Sequence, residues 1–186
     1  MIIAINGKKG SGKSTLSHIL QSYLPDFDIK SFATPIYEIV SLITRYPIPY
    51  LKENKHEMVL GQSIRYWLQT IGANLRNTIH PDIWVHYLMN QYTTQSNWIL
   101  DDLRYINEVE AISDVNHILI QVIGRGDIDT HESEHNLDNW THWDAIIDNS
   151  TDLESLRVQG KLISQVSGYV QSILTTPVRH GEEVTM

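Results

Sequence analysis

A chain of 186 residues suits one compact domain with room for a mobile insert. With 41% hydrophobic and 19% charged residues it has the composition of a soluble globular protein, and no apolar run approaches the ~20 residues that a membrane helix needs. The net charge of −8 argues against sequence-independent nucleic-acid binding, which neutralises many phosphates, and the absence of cysteine excludes disulfides and thiolate zinc sites while fitting a reducing cytoplasm.

Met1 to Asn6 lacks the basic leader, apolar stretch and cleavage site of a signal peptide. Ile2 to Asn6 is instead a short apolar run before a glycine cluster, as in a buried parallel strand. Leu16, Ile19, Leu20 and Tyr23 follow at helical spacing, and Pro25 ends that helix. Ile29 to Phe32 reads as a second strand, and Pro35 sits where a first helical turn tolerates it, opening Ile36, Ile39, Val40 and Ile43. Pro47 and Pro49 break the pattern, so 47–60 reads as an irregular connection.

Gln62 to Thr78 predicts a helix whose apolar stripe is Ile64, Trp67, Leu68, Ile71 and Leu75. A further helix is expected from Pro81-Asp82 to about Tyr92, a third strand at Trp98 to Asp101, a helix around 105–114 and a fourth strand at His117 to Ile123. The polar stretch Gly124 to Thr141 reads as a loop or lid. Ala145 to Ile147 reads as a fifth strand, and Ser150 or Thr151 is expected to cap a long helix reaching about Leu174. Strands alternating with helices imply a parallel sheet covered on both faces.

Gly7-Lys8-Lys9-Gly10-Ser11-Gly12-Lys13-Ser14 fits G-x-x-x-x-G-K-[ST] between a strand and a helix. The glycines let backbone N–H groups curl around a phosphate, and the helix that starts near Lys13 aims its positive end at the same anion. Lys13 is placed to reach the β- and γ-phosphates, and the Ser14 hydroxyl to ligate Mg²⁺. A GTPase switch is disfavoured. Asn54-Lys55-His56-Glu57 ends in the wrong acid for a base-reading motif, and no glycine has an aspartate three residues before it.

An acidic chain that handles phosphates must gather its cations locally, so the positions of its seven arginines are informative. Arg65, Gln69, Gly72 and Arg76 form one polar stripe along a helix, and paired guanidinium forks match a phosphate. The alternative is that these arginines solvate an exposed face. Asp101-Asp102-Leu103-Arg104 follows the third strand at its carboxyl end, where open parallel sheets bind ligands. An acid there can orient Mg²⁺ and Arg104 can reach a phosphate; a helix cap with Arg104 in a surface pair is the competing reading. Arg125, at the base of the 124–141 segment, can bring a cation over the phosphates when that segment closes. His131 and His135 lack a third ligand and make a poor metal site, and Trp140 and Trp143 read as packing residues.

Gly7 to Thr15, Ser31 to Pro35, Arg65-x-x-Leu68-Gln69-x-x-Gly72, Arg76, Asp82-x-Trp84-Val85, Asp102-x-Arg104-x-x-Asn107-Glu108 and His131-x-Ser133-Glu134 occur in an order that resembles the tailed-phage deoxynucleoside monophosphate kinases. The segment from Glu132 to Asn149 also resembles the animal-type phosphomevalonate kinases, which share that architecture. The phage-family likeness implies ATP-dependent phosphorylation of a deoxynucleoside monophosphate, with Mg²⁺ and ATP bound by Gly7, Gly10, Ser11, Gly12, Lys13, Ser14 and Thr15. It implies Arg65, Gln69, Arg76 and Arg104 on the acceptor, with Arg125 in the lid. Ala73 departs from the pattern, which has threonine there.

The expectation is therefore a three-layer α/β P-loop NTPase fold with a five-stranded parallel sheet, in one kinase domain over 1–174 with a flexible tail at 175–186. Residues 34–92 would form the helical acceptor-binding region and 124–141 the lid. Lys13, Asp102, Arg104 and Arg125 are the candidate catalytic residues, and Ser14 and Asp101 the candidate metal ligands. The implied partners are small-molecule nucleotides, not nucleic acid or membrane, in a cytoplasm that is the host's if the chain is phage-encoded. The oligomeric state is left open, with a homodimer as one option.

Overall fold

The computed structural model of the protein describes residues 1–126 and 135–175. Five parallel strands, β1 (Ile2–Gly7), β2 (Asp28–Lys30), β5 (Trp98–Leu100), β6 (His117–Ile123) and β7 (Ala145–Asp148), form one sheet in the order β2-β5-β1-β6-β7. β1 lies at its centre, registering Ile3 against Ile99 on one side and Ile118 on the other. All four residues Ile2 to Ile5 are fully buried, as a strand covered on both faces requires.

The period of two divides these side chains between two layers. Ile3 and Ile5 face a cluster with Leu16 and Leu20 of α1 (Lys13–Tyr23) and Leu156 of α7 (Leu153–Thr175). Ile2 and Ala4 face the opposite cluster, with Val85 and Leu88 of α5 (Ile83–Met89) and Val109 and Ile112 of α6 (Ile106–Ile112). Trp140 and Trp143 pack at the margin of that second cluster, as packing residues should. The result is a three-layer α/β sandwich.

A third, smaller core sits apart from the sheet. Val40 of α2 (Thr34–Thr44), Leu51 of α3 (Ile48–Glu53) and Ile64 of α4 (Ile64–Thr78) are fully buried together, with Tyr37, Trp67, Leu68 and Ile71 around them. The stretch read as an irregular connection over 47–60 is thus ordered. It holds α3 and most of a hairpin, β3 (Met58–Val59) with β4 (Gln62–Ser63), turned by Leu60 and Gly61 at positive φ. Pro49 lies in the first turn of α3, where a missing N–H costs nothing, and two-residue strands leave no periodicity to read.

One smaller difference has a local cause. The cap of α7 is Asp152, whose carboxylate accepts from the Ser155 N–H at 2.8 Å, not Ser150 or Thr151. Gly72 of the polar stripe lines the cavity and admits the Ile36 side chain, which a Cβ there would meet at 3.1 Å, while its carbonyl accepts from Trp84 Nε1 at 3.0 Å. Among the described residues no helix is long and apolar enough to cross a membrane. Residues 127–134 of the expected lid segment, His131 among them, lie outside the described residues.

Candidate active site

The glycine-rich loop joins the carboxyl end of β1 to the first turn of α1. Gly12 precedes that turn at φ 102°, a conformation costly to any residue with a Cβ, and a Cβ would also run into the Asn149 side-chain amide. That amide, at the end of β7, donates to the Ser11 carbonyl at 2.8 Å and is buried. Asn149 therefore clamps the loop from the end of β7, with β6 between that strand and β1. On the other flank the Lys8 ammonium pairs with Asp138, which also receives His135 Nδ1 at 2.8 Å. His135 thus has a carboxylate partner on the described side of the 124–141 segment.

Lys13 is buried at the foot of the loop, its ammonium donating to the carbonyls of Gly7 at 2.5 Å and Lys8 at 2.8 Å. One residue on, the Ser14 hydroxyl lies 3.3 Å from Asp101 Oδ2 at the end of β5. Desolvation, and then the Asp102 carboxylate, push the Asp101 pKa up, opposed by the Ser14 hydroxyl and the charges of Lys52 and Lys13. Two hard oxygens side by side, one on an acid whose charge is poorly solvated, fit a small divalent cation such as Mg²⁺.

Asp102 faces the other way. Its carboxylate accepts from Ser31 Oγ at 2.6 Å, Phe32 N–H at 3.0 Å and Ala33 N–H at 2.9 Å, so it fixes the turn from β2 into α2. Named as a candidate catalytic acid able to orient Mg²⁺, it lines the cavity while these three bonds position that turn.

Arg76 and Arg104 converge on Glu108. The Glu108 carboxyl accepts the backbone N–H groups of Arg104 at 2.7 Å and Tyr105 at 3.0 Å through Oε2, while Oε1 lies 3.7 Å from the Arg76 guanidinium. The Arg76 guanidinium stacks 3.7 Å from the Tyr105 ring centroid, and its Nε is buried with no hydrogen-bond partner among the described residues. Burial, and then the charge of Asp102, push the Glu108 pKa up to about 8. Burial thus favours the neutral acid, which weakens its hold on the Arg76 charge at this contact.

These groups line one cavity of about 540 Å³ between the loop, α2, α4 and the 101–108 segment. The structure brings Gly10, Lys13, Ser14, Arg65, Gln69, Arg76, Asp101, Asp102 and Arg104 to its walls. It does not bring all of the expected set. Gly7, Ser11 and Gly12 lie within the loop, and Thr15 lines a separate surface groove between α1 and α7. Arg125, expected over the phosphates, lies off the wall, its guanidinium donating to the Thr151 carbonyl. Lys52, Lys55, His56 and Tyr37 line the cavity and were missed, the first three because the basic cluster at 52–56 falls in the stretch read as irregular. Its positive charge in an acidic chain was the signal that could have found it.

Seven of the chain's 14 lysines and arginines (Lys9, Lys13, Lys52, Lys55, Arg65, Arg76 and Arg104) meet at this cavity, against three acids, in a chain of net charge −8. The molecule is a three-layer α/β protein with a glycine-rich loop and a cation-lined cleft at the carboxyl edge of its parallel sheet. No family model matches the chain, and no curated protein sequence matches it. Solved structures that the chain matches include TT1252 from Thermus thermophilus, 16% identical with TM-score 0.46, the match covering 89% of this chain and 97% of that one. An unliganded sugar kinase from Janibacter sp. HTCC2649 is 11% identical with TM-score 0.43, over 91% and 96% of the two chains. Deoxyadenosine kinase from M. mycoides with bound dATP is 16% identical with TM-score 0.29, over 90% and 100%.

Proposed function

We propose that the chain transfers the γ-phosphoryl group of ATP to a nucleoside monophosphate, deoxy in the reading its motifs favour, yielding the diphosphate and ADP. The observation that carries this is the shared cavity, with half the chain's cations on its walls and the loop and the Arg76–Arg104 wall both part of it. Two phosphorylated ligands must approach within bonding distance for such a reaction, and a single cation-rich cleft supports that approach.

Lys13, drawn from its loop carbonyls, binds the β- and γ-phosphates, and the loop N–H groups cradle them. Ser14 and Asp101 hold Mg²⁺, which when bound neutralises triphosphate charge. Arg76, stacked on Tyr105, and Arg104 hold the acceptor phosphate with one oxygen facing the γ-phosphorus. That oxygen is already a competent nucleophile, so no general base is required. Residues 34–92 serve as the acceptor region, and the 124–141 segment, with Arg125 at its base, closes to exclude water. The reaction needs no membrane or nucleic acid, and its setting is cytoplasmic.

One feature favours a second reading. Arg65 and Arg76 are eleven residues apart on α4, roughly 16 Å along its axis, so they serve different parts of the acceptor. Arg65, beside Lys55 through an N–H···O bond of 2.8 Å to its carbonyl, can face a base or a second anionic group. An acceptor such as phosphomevalonate carries the latter. A panel of deoxynucleoside monophosphates, ribonucleoside monophosphates and phosphomevalonate with ATP and Mg²⁺, read by ADP release and product mass, separates the readings. The expected result is ADP release stimulated by nucleoside monophosphates. Hydrolysis that no acceptor stimulates contradicts both and points to a regulatory ATPase.

A further inference from the structure

Phosphoryl transfer spreads negative charge over the equatorial oxygens of the group in flight, and that charge has to be met from more than one side. Lys13 supplies a cation from the loop side. The cation on the facing side has no owner so far, since Arg125 lies off the cavity wall with its guanidinium on the Thr151 carbonyl.

α3 supplies a candidate. Leu51 is fully buried in the third core and anchors this short helix, and the next residue, Lys52, is exposed and lines the cavity. The Lys52 ammonium stands 5.7 Å from the centroid of the Tyr37 ring, a cation–π arrangement that gives a flexible side chain a defined seat. Tyr37 itself lines the cavity from α2. Lys13, Ser14 and Asp101 line the same cavity, with Asp101 3.3 Å from Ser14 Oγ, so Lys52 shares one cleft with the groups placed to hold the end of the triphosphate.

We propose that Lys52 is a catalytic residue: its ammonium, seated over the Tyr37 ring, meets the migrating phosphoryl group from the acceptor side, opposite Lys13. This rests on the phosphoryl-transfer reading above. In the step, an acceptor phosphate oxygen forms a bond to the γ-phosphorus. The bond from that phosphorus to the β,γ-bridging oxygen breaks, and its electron pair leaves with ADP. Lys52 stays protonated throughout and only neutralises charge. An ammonium on a four-carbon stem suits a site where the charge moves during the reaction.

The test is steady-state kinetics of Lys52→Ala and Lys52→Arg on the best acceptor of the wild-type protein, with ATP affinity measured separately and folding checked by thermal melting. Lys52→Ala is expected to lower kcat about 100-fold or more, with acceptor KM and ATP Kd within about threefold of wild type. Lys52→Arg is expected to recover at least about tenfold of that loss. The assignment is overturned if Lys52→Ala keeps kcat within about threefold of wild type, or if its defect is confined to acceptor KM. A large kcat loss in Arg125→Ala beside an active Lys52→Ala also overturns it and gives the role to the lid. A wild-type protein that transfers to no acceptor overturns the parent reading and Lys52 with it, a result distinct from an active wild type with an active variant.

Discussion

The Arg76 guanidinium ends 3.7 Å from the Glu108 carboxyl, an acid whose pKa burial pushes up to about 8. Above that value Glu108 ionises and competes with an acceptor phosphate for Arg76. Acceptor KM is expected to be flat below about pH 8 and to rise above it, by no more than about tenfold per pH unit, with Glu108→Gln flat across the same range. Stability carries the same sign. The folded pKa lies above the ordinary glutamate value of 4.5, so the group's contribution is full below 4.5 and is lost as pH rises toward about 8. Thermal melts should show wild type losing more Tm than Glu108→Gln over that interval.

Asn149 joins β7 to the glycine loop through its 2.8 Å bond to the Ser11 carbonyl. Asn149→Ala leaves that carbonyl without this donor and opens space beside Gly12. A loss of about 1–3 kcal/mol in unfolding free energy is expected. ATP affinity should fall while acceptor KM stays near wild type, measured by denaturant titration and by calorimetry.

Asp102 accepts three bonds from the turn into α2 and should behave as a positioning residue. Asp102→Ala is expected to destabilise by about 3 kcal/mol, since donors to a carboxylate lose more than donors to a neutral acceptor. Its acceptor KM should rise, because α2 carries Tyr37 on the cavity wall. Asp102→Asn keeps an acceptor oxygen and should recover part of both. Denaturant titration and steady-state kinetics read these effects.

The sheet was legible in the sequence because its signals are local and strong. Ile2 to Asn6 and His117 to Ile123 are dense apolar runs, and the glycine motif dictates a strand before it and a helix after it. The α4 arginine stripe was visible in the spacing, which left a solvated face as the alternative; its residues line the cavity. What stayed hidden depends on tertiary placement. The two short strands flanking Leu60-Gly61 have no period, and the proline pair masked α3, so Lys52 and Lys55 were never tied to the cleft. Asp102 and Asp101 are adjacent in sequence, and only the fold turns one toward Ser14 and the other toward the β2–α2 turn. Nothing in the sequence marks Glu108 as an acid of raised pKa, since that shift follows from burial.

The most direct measurement follows the label from [γ-³²P]ATP in the presence of a deoxynucleoside monophosphate and Mg²⁺, with wild type and Lys13→Ala side by side. The account predicts label in a nucleoside diphosphate for wild type, and none for a Lys13→Ala protein that still melts cooperatively. Label released only as inorganic phosphate at a rate no acceptor changes, or a Lys13→Ala variant that transfers normally, would contradict it.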